Sequence, residues 1–271
     1  MTILETIVAH KRGEIAARMA ATPLTALLER LPAALPPRDF RAALLDSASP
    51  GPRVIAEVKR RSPSKGALRP DLDPVELARI YEENGAAAIS VLTDDRFFGG
   101  SLDDLHRVRA SVSLPVLCKE FIIAPYQLYE ARLAGADAVL LIAGILTREQ
   151  LTSFREQAAQ LGMASLIEVH NRAELDSALT SGAEIIGINN RDLHTFTVSL
   201  DTTRTLRASI PPGITTVSES GIMTADDRAL MSSLAIDALL VGESLLTSAD
   251  VAAATREISG LSAPRLEESL R

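Results

Sequence analysis

Val54-Ile55-Ala56-Glu57-Val58-Lys59-Arg60-Arg61-Ser62-Pro63-Ser64-Lys65-Gly66 begins as an apolar run of strand character and ends as a basic, turn-rich loop. Side chains alternate between the faces of a strand, so Ile55, Glu57 and Lys59 share one face and Val54, Ala56 and Val58 the other. A carboxylate and an ammonium therefore stand side by side at a strand's C-terminal end. For an isolated Glu-x-Lys the plain reading is an edge strand with a solvated ion pair. The Ser-Pro-Ser-Lys-Gly that follows instead suits a loop folding over an anionic ligand at the strand mouth.

Downstream, short apolar runs of this kind alternate with helical patterns. Strands are predicted at 54–59, 88–93, 116–121, 138–143, 164–169, 185–189, 215–219 and 238–241, with helices near 74–84, 102–112, 125–135, 147–161, 172–181, 201–209, 225–234 and 250–258. Strands spaced by helices of this length pair in parallel through βαβ units, and nearly continuous apolar strands are buried on both faces. Eight such units predict an α/β fold of the closed (β/α)8 TIM-barrel type. An open dinucleotide-binding sheet is disfavoured, because no Gly-x-Gly-x-x-Gly follows the first strand. Gly85-Ala86, Gly135-Ala136 and Gly182-Ala183 mark helix ends with a glycine cap before the next strand.

Upstream, Ile3, Leu4, Ile7, Val8, Lys11 and Ile15 fall at helical spacing over 3–20. Shorter helices are predicted at 24–31 and 39–46, the latter with Asp39 as N-cap. Residues 1–47 are thus expected to form a helical extension that packs on the barrel and closes part of its mouth. Residues 48–271 are expected to form the catalytic barrel, entered through a linker at 47–52, in a single domain overall. The end of the chain, 259–271, is expected to be a solvated tail or a final half-turn of helix.

The chain has 271 residues, 46% of them hydrophobic, enough for one large core. A net charge of -7 and no basic run longer than Lys59-Arg60-Arg61 argue against a nucleic-acid partner. Cys118 is the only cysteine, so no internal disulfide is possible, and no His/Cys spacing suggests a structural metal. Charges interrupt residues 1–19, so neither a signal peptide nor a membrane span is expected there. A cytoplasmic protein, monomeric or a weak homodimer, is the expectation.

The active site of such a barrel lies at the C-terminal ends of its strands. Alternation turns Leu117, Lys119 and Phe121 inward and Cys118 and Glu120 outward. It also turns Glu168 inward and makes Asn189 and Arg191 a same-face pair. Glu219 and Glu243 close the ends of the seventh and eighth strands. One inward charge could be a structural ion pair; polar groups on five strands at one end are hard to explain as packing, since burial costs several kcal/mol per ion. Ser220-Gly221 and Gly242-Glu243 follow the two strands that in many barrels hold a phosphate on backbone N–H groups. Both glycines could be ordinary turns, but the pair at those two strands favours a phosphorylated substrate. His10, His106, His170 and His194 are scattered, and only His170 lies near this end.

The motifs Ile55-Ala-Glu-Val-Lys-Arg-Arg-Ser-Pro-Ser-Lys-Gly66, Ser90-Val-Leu-Thr-Asp94, Phe97-Phe-Gly-Gly-Ser101, Pro115-Val-Leu-Cys-Lys-Glu-Phe121, Leu166-Ile-Glu168, Gly187-Ile-Asn-Asn-Arg-Asp-Leu193 and Ser218-Glu-Ser-Gly221 resemble those of the indole-3-glycerol phosphate synthase family. The resemblance spans essentially the whole chain, helical extension included. It implies closure of the pyrrole ring of 1-(2-carboxyphenylamino)-1-deoxyribulose 5-phosphate with release of carbon dioxide and water, using neither metal nor cofactor.

By that resemblance Lys119 is the general acid at the ketone, a role that neighbouring cations would assist by lowering its pKa. Glu168, Lys59 and Glu57 match the acid and base positions for loss of the hydroxyl. Glu219 and Asn189 match residues that orient the lysines and the sugar hydroxyls. Arg191 and Lys59 suit the substrate carboxylate or phosphate, and Phe98, Phe121, Leu140 and Ile142 an apolar slot for the anthranilate ring. Ser62, Ser220, Gly221 and Gly242 are expected anion contacts. Glu243 departs from relatives with Ser, and only its backbone N–H is expected to serve, its side chain pointing away. The rivals are a Schiff-base aldolase working through Lys119, a phosphoribosyl isomerase using a Cys and Asp pair, and a non-catalytic phosphate-binding barrel.

Overall fold

Strand alternation divides the apolar residues into two sets, and the molecule uses both. The computed structural model describes residues 2–46, 51–193 and 195–261. Parallel strands β1 (Arg53–Val58), β2 (Ala88–Leu92), β3 (Val116–Lys119), β4 (Ala138–Ile142), β5 (Ala164–Val169), β6 (Ile185–Asn189), β7 (Thr215–Glu219) and β8 (Ala238–Val241) close into a barrel in sequence order. Closure occurs at β1, where Ile55 stands in register with both Ala88 and Leu240. Ile55, Leu117, Leu140, Leu166, Val217 and Leu240 fill the interior. Val54, Val58, Cys118, Val139, Leu141, Ile167 and Ile186 face the surrounding helices. The third strand stops two residues before its predicted end, because Glu120 turns to accept the Phe121 N–H at 2.7 Å and to pair with Lys11.

The extension comprises α1 (Ile3–Ala21), α2 (Leu24–Arg30) and α3 (Phe40–Leu45). The strands are joined by α4 (Pro74–Glu83), α5 (Asp95–Phe98) with α6 (Leu102–Ser111), α7 (Tyr126–Ala134), α8 (Arg148–Gln160), α9 (Arg172–Thr180), α10 (Asp201–Arg207) and α11 (Ala225–Ser233). After β8 come α12 (Glu243–Thr247) and α13 (Val251–Ser259). Side chains of Asp73, Ser101, Thr147, Asn171, Thr224 and Asp250 accept first-turn backbone N–H groups, which sets where their helices begin. Gly85, Gly135 and Gly182 all take positive φ where the chain leaves a helix for the next strand.

The extension touches both ends of the barrel. At the mouth, Lys11 of α1 is wholly buried among Asp94 (2.8 Å), Glu14 (2.9 Å) and Glu120 (3.1 Å). Burial opposes its charge, but the carboxylates outweigh this and raise its pKa above the ordinary lysine value. Tyr126 of α7 then donates to the Thr22 carbonyl at 2.8 Å. At the opposite end, the Arg38 guanidinium reaches the Leu114 carbonyl and Arg41 the Thr215 hydroxyl, while Phe40 and Leu44 of α3 plug the interior cluster from below.

Several short elements carry no periodic signal: a hairpin of Arg61–Ser62 with Gly66–Ala67, 3-10 turns at Leu31–Ala33 and Ala143–Ile145, and the one-turn helices α5 and α12. Most of the predicted linker (47–50), His194 and the tail from 262 to 271 lie outside the described residues. Among the described residues no helix is long and apolar enough to cross a membrane.

Candidate active site

Because the strands are parallel, their C-terminal ends meet at one face, where a cavity of about 670 Å3 opens. Glu57, Lys59, Lys119, Glu168, Asn189, Arg191 and Glu219 all line it, from β1, β3, β5, β6 and β7 or the turns just beyond. At its centre the Lys119 ammonium lies 3.0 Å from Glu168 Oε2 and 3.0 Å from Glu219 Oε2. Glu219 reaches that point because β6 carries Gly187: a Cβ there would occupy the place of the Glu219 carboxylate. On β1, Lys59 is paired with Glu57.

The surroundings of Lys119 differ from the expected cationic ones. Burial by itself would lower its pKa, but Glu168, Glu219 and Glu57 outweigh burial and hold it well above the ordinary value. The two carboxylates that share this ammonium are pushed apart. Burial disfavours ionisation of both. Glu168 nevertheless titrates below the usual range, since Lys119 and His170 both stabilise its charge. Glu219 is raised, because burial and the charges of Glu168 and Glu57 exceed the help from Lys119. The two carboxylates that share the ammonium thus sit in electrostatically unequal surroundings.

Nearer the solvent, Glu243 does not point away. Its side chain turns into the mouth, drawn by two cations, with Arg191 at 3.3 Å and Lys65 at 3.3 Å. Lys65 belongs to the basic loop, and nothing in the sequence sets it apart from the other cations there. Lys59 stays paired with Glu57, whose carboxylate lies against Gly242, so the lysine stands beside the turn that follows β8. Ser62 lines the cavity in the hairpin, with its hydroxyl accepting the Lys65 N–H at 3.3 Å. Ser220 and Gly221 both take positive φ, so their turn is tightly reversed. The two glycines are also constrained by their neighbours: a Cβ on Gly221 would meet Val198 at 2.6 Å and one on Gly242 would meet Glu57 at 2.5 Å.

The apolar side is built from Phe98 and Phe121, whose rings lie 5.9 Å apart, with Leu140 and Ile142 below them. Ile3, Leu4 and Ile7 of α1 line the same cavity. Cys118 faces outward and is buried, and burial pushes its thiol up to about 12, which suits no acid–base role. His10 meets the Phe97 ring edge to face and His106 is exposed. His170 touches Glu168, with Nε2 at 3.3 Å from Oε1.

A family model described as indole-3-glycerol phosphate synthase matches residues 4–258. The chain is 51% identical over 269 residues to the indole-3-glycerol phosphate synthase of Roseiflexus castenholzii, covering 96% of this chain and 98% of that one. It is 49% identical over 260 residues to that of Dehalococcoides mccartyi, covering 94% and 99%. Among solved structures, a thiamine phosphate pyrophosphorylase from Pyrococcus furiosus superposes with TM-score 0.59 at 19% identity, covering 77% of this chain and 94% of its own. A KGPDC from Streptococcus mutans gives 0.58 at 12%, covering 78% and 96%. At those identities the two structures share the barrel fold alone.

Proposed function

The chain belongs to the indole-3-glycerol phosphate synthase family, and from that membership we propose how its residues divide the work of the reaction. The enzyme is a carboxy-lyase of tryptophan biosynthesis. It converts 1-(2-carboxyphenylamino)-1-deoxyribulose 5-phosphate to indole-3-glycerol phosphate, carbon dioxide and water, a conversion that balances without an electron acceptor or donor.

The observation that carries the assignment of roles is the Lys119 ammonium held 3.0 Å from two buried carboxylates at the cavity's centre. As the ring carbon bearing the carboxylate attacks the ketone, negative charge gathers on the ketone oxygen. Lys119 donates its proton there, because a developing alkoxide is more basic than an amine. Loss of carbon dioxide restores the aromatic ring. Glu168, the carboxylate kept ionised, then takes the proton whose removal lets the hydroxyl depart, and Lys59, held by Glu57, protonates that hydroxyl. Glu219 steadies Lys119, and Asn189 orients the sugar hydroxyls.

The backbone N–H groups at Ser220–Gly221 and Gly242–Glu243, with Ser62, Arg191 and Lys65, bind the phosphate. Phe98, Phe121, Leu140 and Ile142 receive the ring. The helical extension 1–47 acts as part of the catalytic unit, its α1 roofing the mouth. The enzyme works in the cytoplasm on a small phosphorylated substrate, as a monomer or weak homodimer, with no nucleic-acid partner. A Schiff-base reaction through Lys119 is disfavoured by the same carboxylates, which keep the amine protonated and non-nucleophilic.

Single-turnover measurements of carbon dioxide and of indole fluorescence separate the two lysines. Lys119→Met is expected to release neither product. Lys59→Met is expected to release carbon dioxide while indole formation stalls. Indole formed at the normal rate by Lys119→Met would overturn the assignment.

A further inference from the structure

We propose that His170, anchored by Glu174, is a positioning residue that fixes the Glu168 carboxylate for its proton transfer, an inference that rests on the role given to Glu168 above. The two oxygens of Glu168 have different partners: Oε2 accepts a hydrogen bond from Lys119 at 3.0 Å, while Oε1 lies 3.3 Å from His170 Nε2 as an ion-pair contact without hydrogen-bond alignment. When Lys119 turns to the substrate ketone, only the histidine still holds the carboxylate. A base that rotates with its departing lysine would leave the proton it must take.

The imidazole can do this because its own orientation is determined by the start of a helix. His170 is the residue after β5, and Asn171 is the N-cap of α9. Glu174 Oε2 lies 3.0 Å from His170 Nδ1 and also accepts the His170 backbone N–H at 2.8 Å. Its other oxygen accepts from the Asn171 side chain at 2.7 Å, and its backbone N–H returns to Asn171 at 3.1 Å. Gly144, after β4, lets this carboxylate sit close, since a Cβ there would stand 3.3 Å from Glu174 Oε1.

Two carboxylates flank the ring, and both ring nitrogens are donors in the charged form. Burial disfavours that form, but Glu168 and Glu174 outweigh burial and raise the pKa to about 10. The other charged groups around it are Lys119 beyond Glu168 and, across a second cavity of about 570 Å3 lined by the imidazole, Glu5, Arg191 and Asp192. A histidine that merely capped α9 would affect stability and leave the proton transfer untouched.

Two measurements test this. Nitrogen-15 NMR titration of the ligand-free wild-type protein is expected to show His170 doubly protonated at pH 8, and deprotonating at lower pH in Glu174→Gln. In His170→Gln, kcat is expected to fall about 10- to 10²-fold while KM stays within about twofold, since small misplacements of a reacting group cost rates of that order. In Glu174→Gln the alkaline limb of the kcat profile is expected to move to lower pH. A neutral His170 at pH 7 in the wild type overturns the proposal, as does wild-type kcat in a folded His170→Gln. Glu168→Gln separates the two levels: full activity there removes the role of Glu168 itself, whereas an inactive Glu168→Gln beside a fully active His170→Gln removes only the role of His170.

Discussion

Lys11 in the first helix and Asp94 just after β2 form a 2.8 Å ion pair in which neither side chain has any exposure to solvent. Asp94 also N-caps α5 by accepting the Phe97 N–H at 2.7 Å, so the same carboxylate places Phe98 beside Phe121. The extension is thereby coupled to the slot proposed for the aromatic ring of the substrate.

Lys11→Met should therefore act on both stability and binding. Removing one partner of a buried ion pair typically costs about 3–5 kcal/mol, because the remaining charge is left uncompensated. Urea denaturation should show a loss of this order, and KM should rise more than kcat falls. A variant with unchanged midpoint and unchanged KM would show that α1 is only an appendage.

The pair of His170 with Glu168 predicts a stability window. His170 is raised from 6.5 to about 10, so its contribution is complete below pH 6.5 and is lost as pH climbs toward 10. Glu168 is depressed below 4.5, so its contribution is complete above that value and is lost on further acidification. Lys119 also lowers Glu168 and Glu174 also raises His170, and the part the two share, the His170–Glu168 pairing, is fully present between pH 4.5 and 6.5. Melting temperatures across pH 6 to 10 should fall less steeply in His170→Gln than in the wild type; parallel curves would contradict the pairing.

Gly187→Ala should impair catalysis although Gly187 bears no functional group. The new Cβ would take the position of the Glu219 carboxylate and draw it off Lys119. A reduction of kcat by about 10-fold or more is expected, since displacement of a group that positions the acid by a fraction of an ångström is costly. Retention of full kcat would mean that Glu219 is dispensable for holding the lysine.

Glu243→Gln should strengthen anion binding. The carboxylate now occupies Arg191 and Lys65, two cations at the mouth of the cavity. Titration with inorganic phosphate is expected to show tighter binding in the variant, most clearly at low ionic strength where such charges are least screened. Weaker binding would show that Glu243 organises the anion site and does not compete for it.

What could be read from the sequence follows from how far each physical rule reaches. Alternation with a period of two identifies the inward faces, and so it brings out Glu57, Lys119, Glu168, Asn189 and Glu219 without a structure. It does not say what lies across the barrel. Lys119 meets Glu219 from 100 residues away, which is why its anionic surroundings were not legible. Lys11 falls on an apolar helical stripe, where spacing alone treats it as a member of the stripe; its three carboxylate partners come from other turns and strands. Gly187 reads as one more strand residue until the side chain above it is known. The contacts of Glu243 depend on loop geometry, for which neither periodicity nor capping offers a rule.

The extension's grip on both ends of the barrel also bears on how the chain is made. Residues 2–46 leave the ribosome before any strand of the barrel, yet Arg41 binds Thr215, 174 positions later. At about 5–20 residues per second, Arg41 waits roughly 10–35 s for that partner to be synthesised. Over that interval the interior cluster that Phe40 and Leu44 plug is still incomplete, since Val217, Ala238 and Leu240 have yet to be made. The helix that looks like the foundation of the molecule is, in the order of assembly, its final closure.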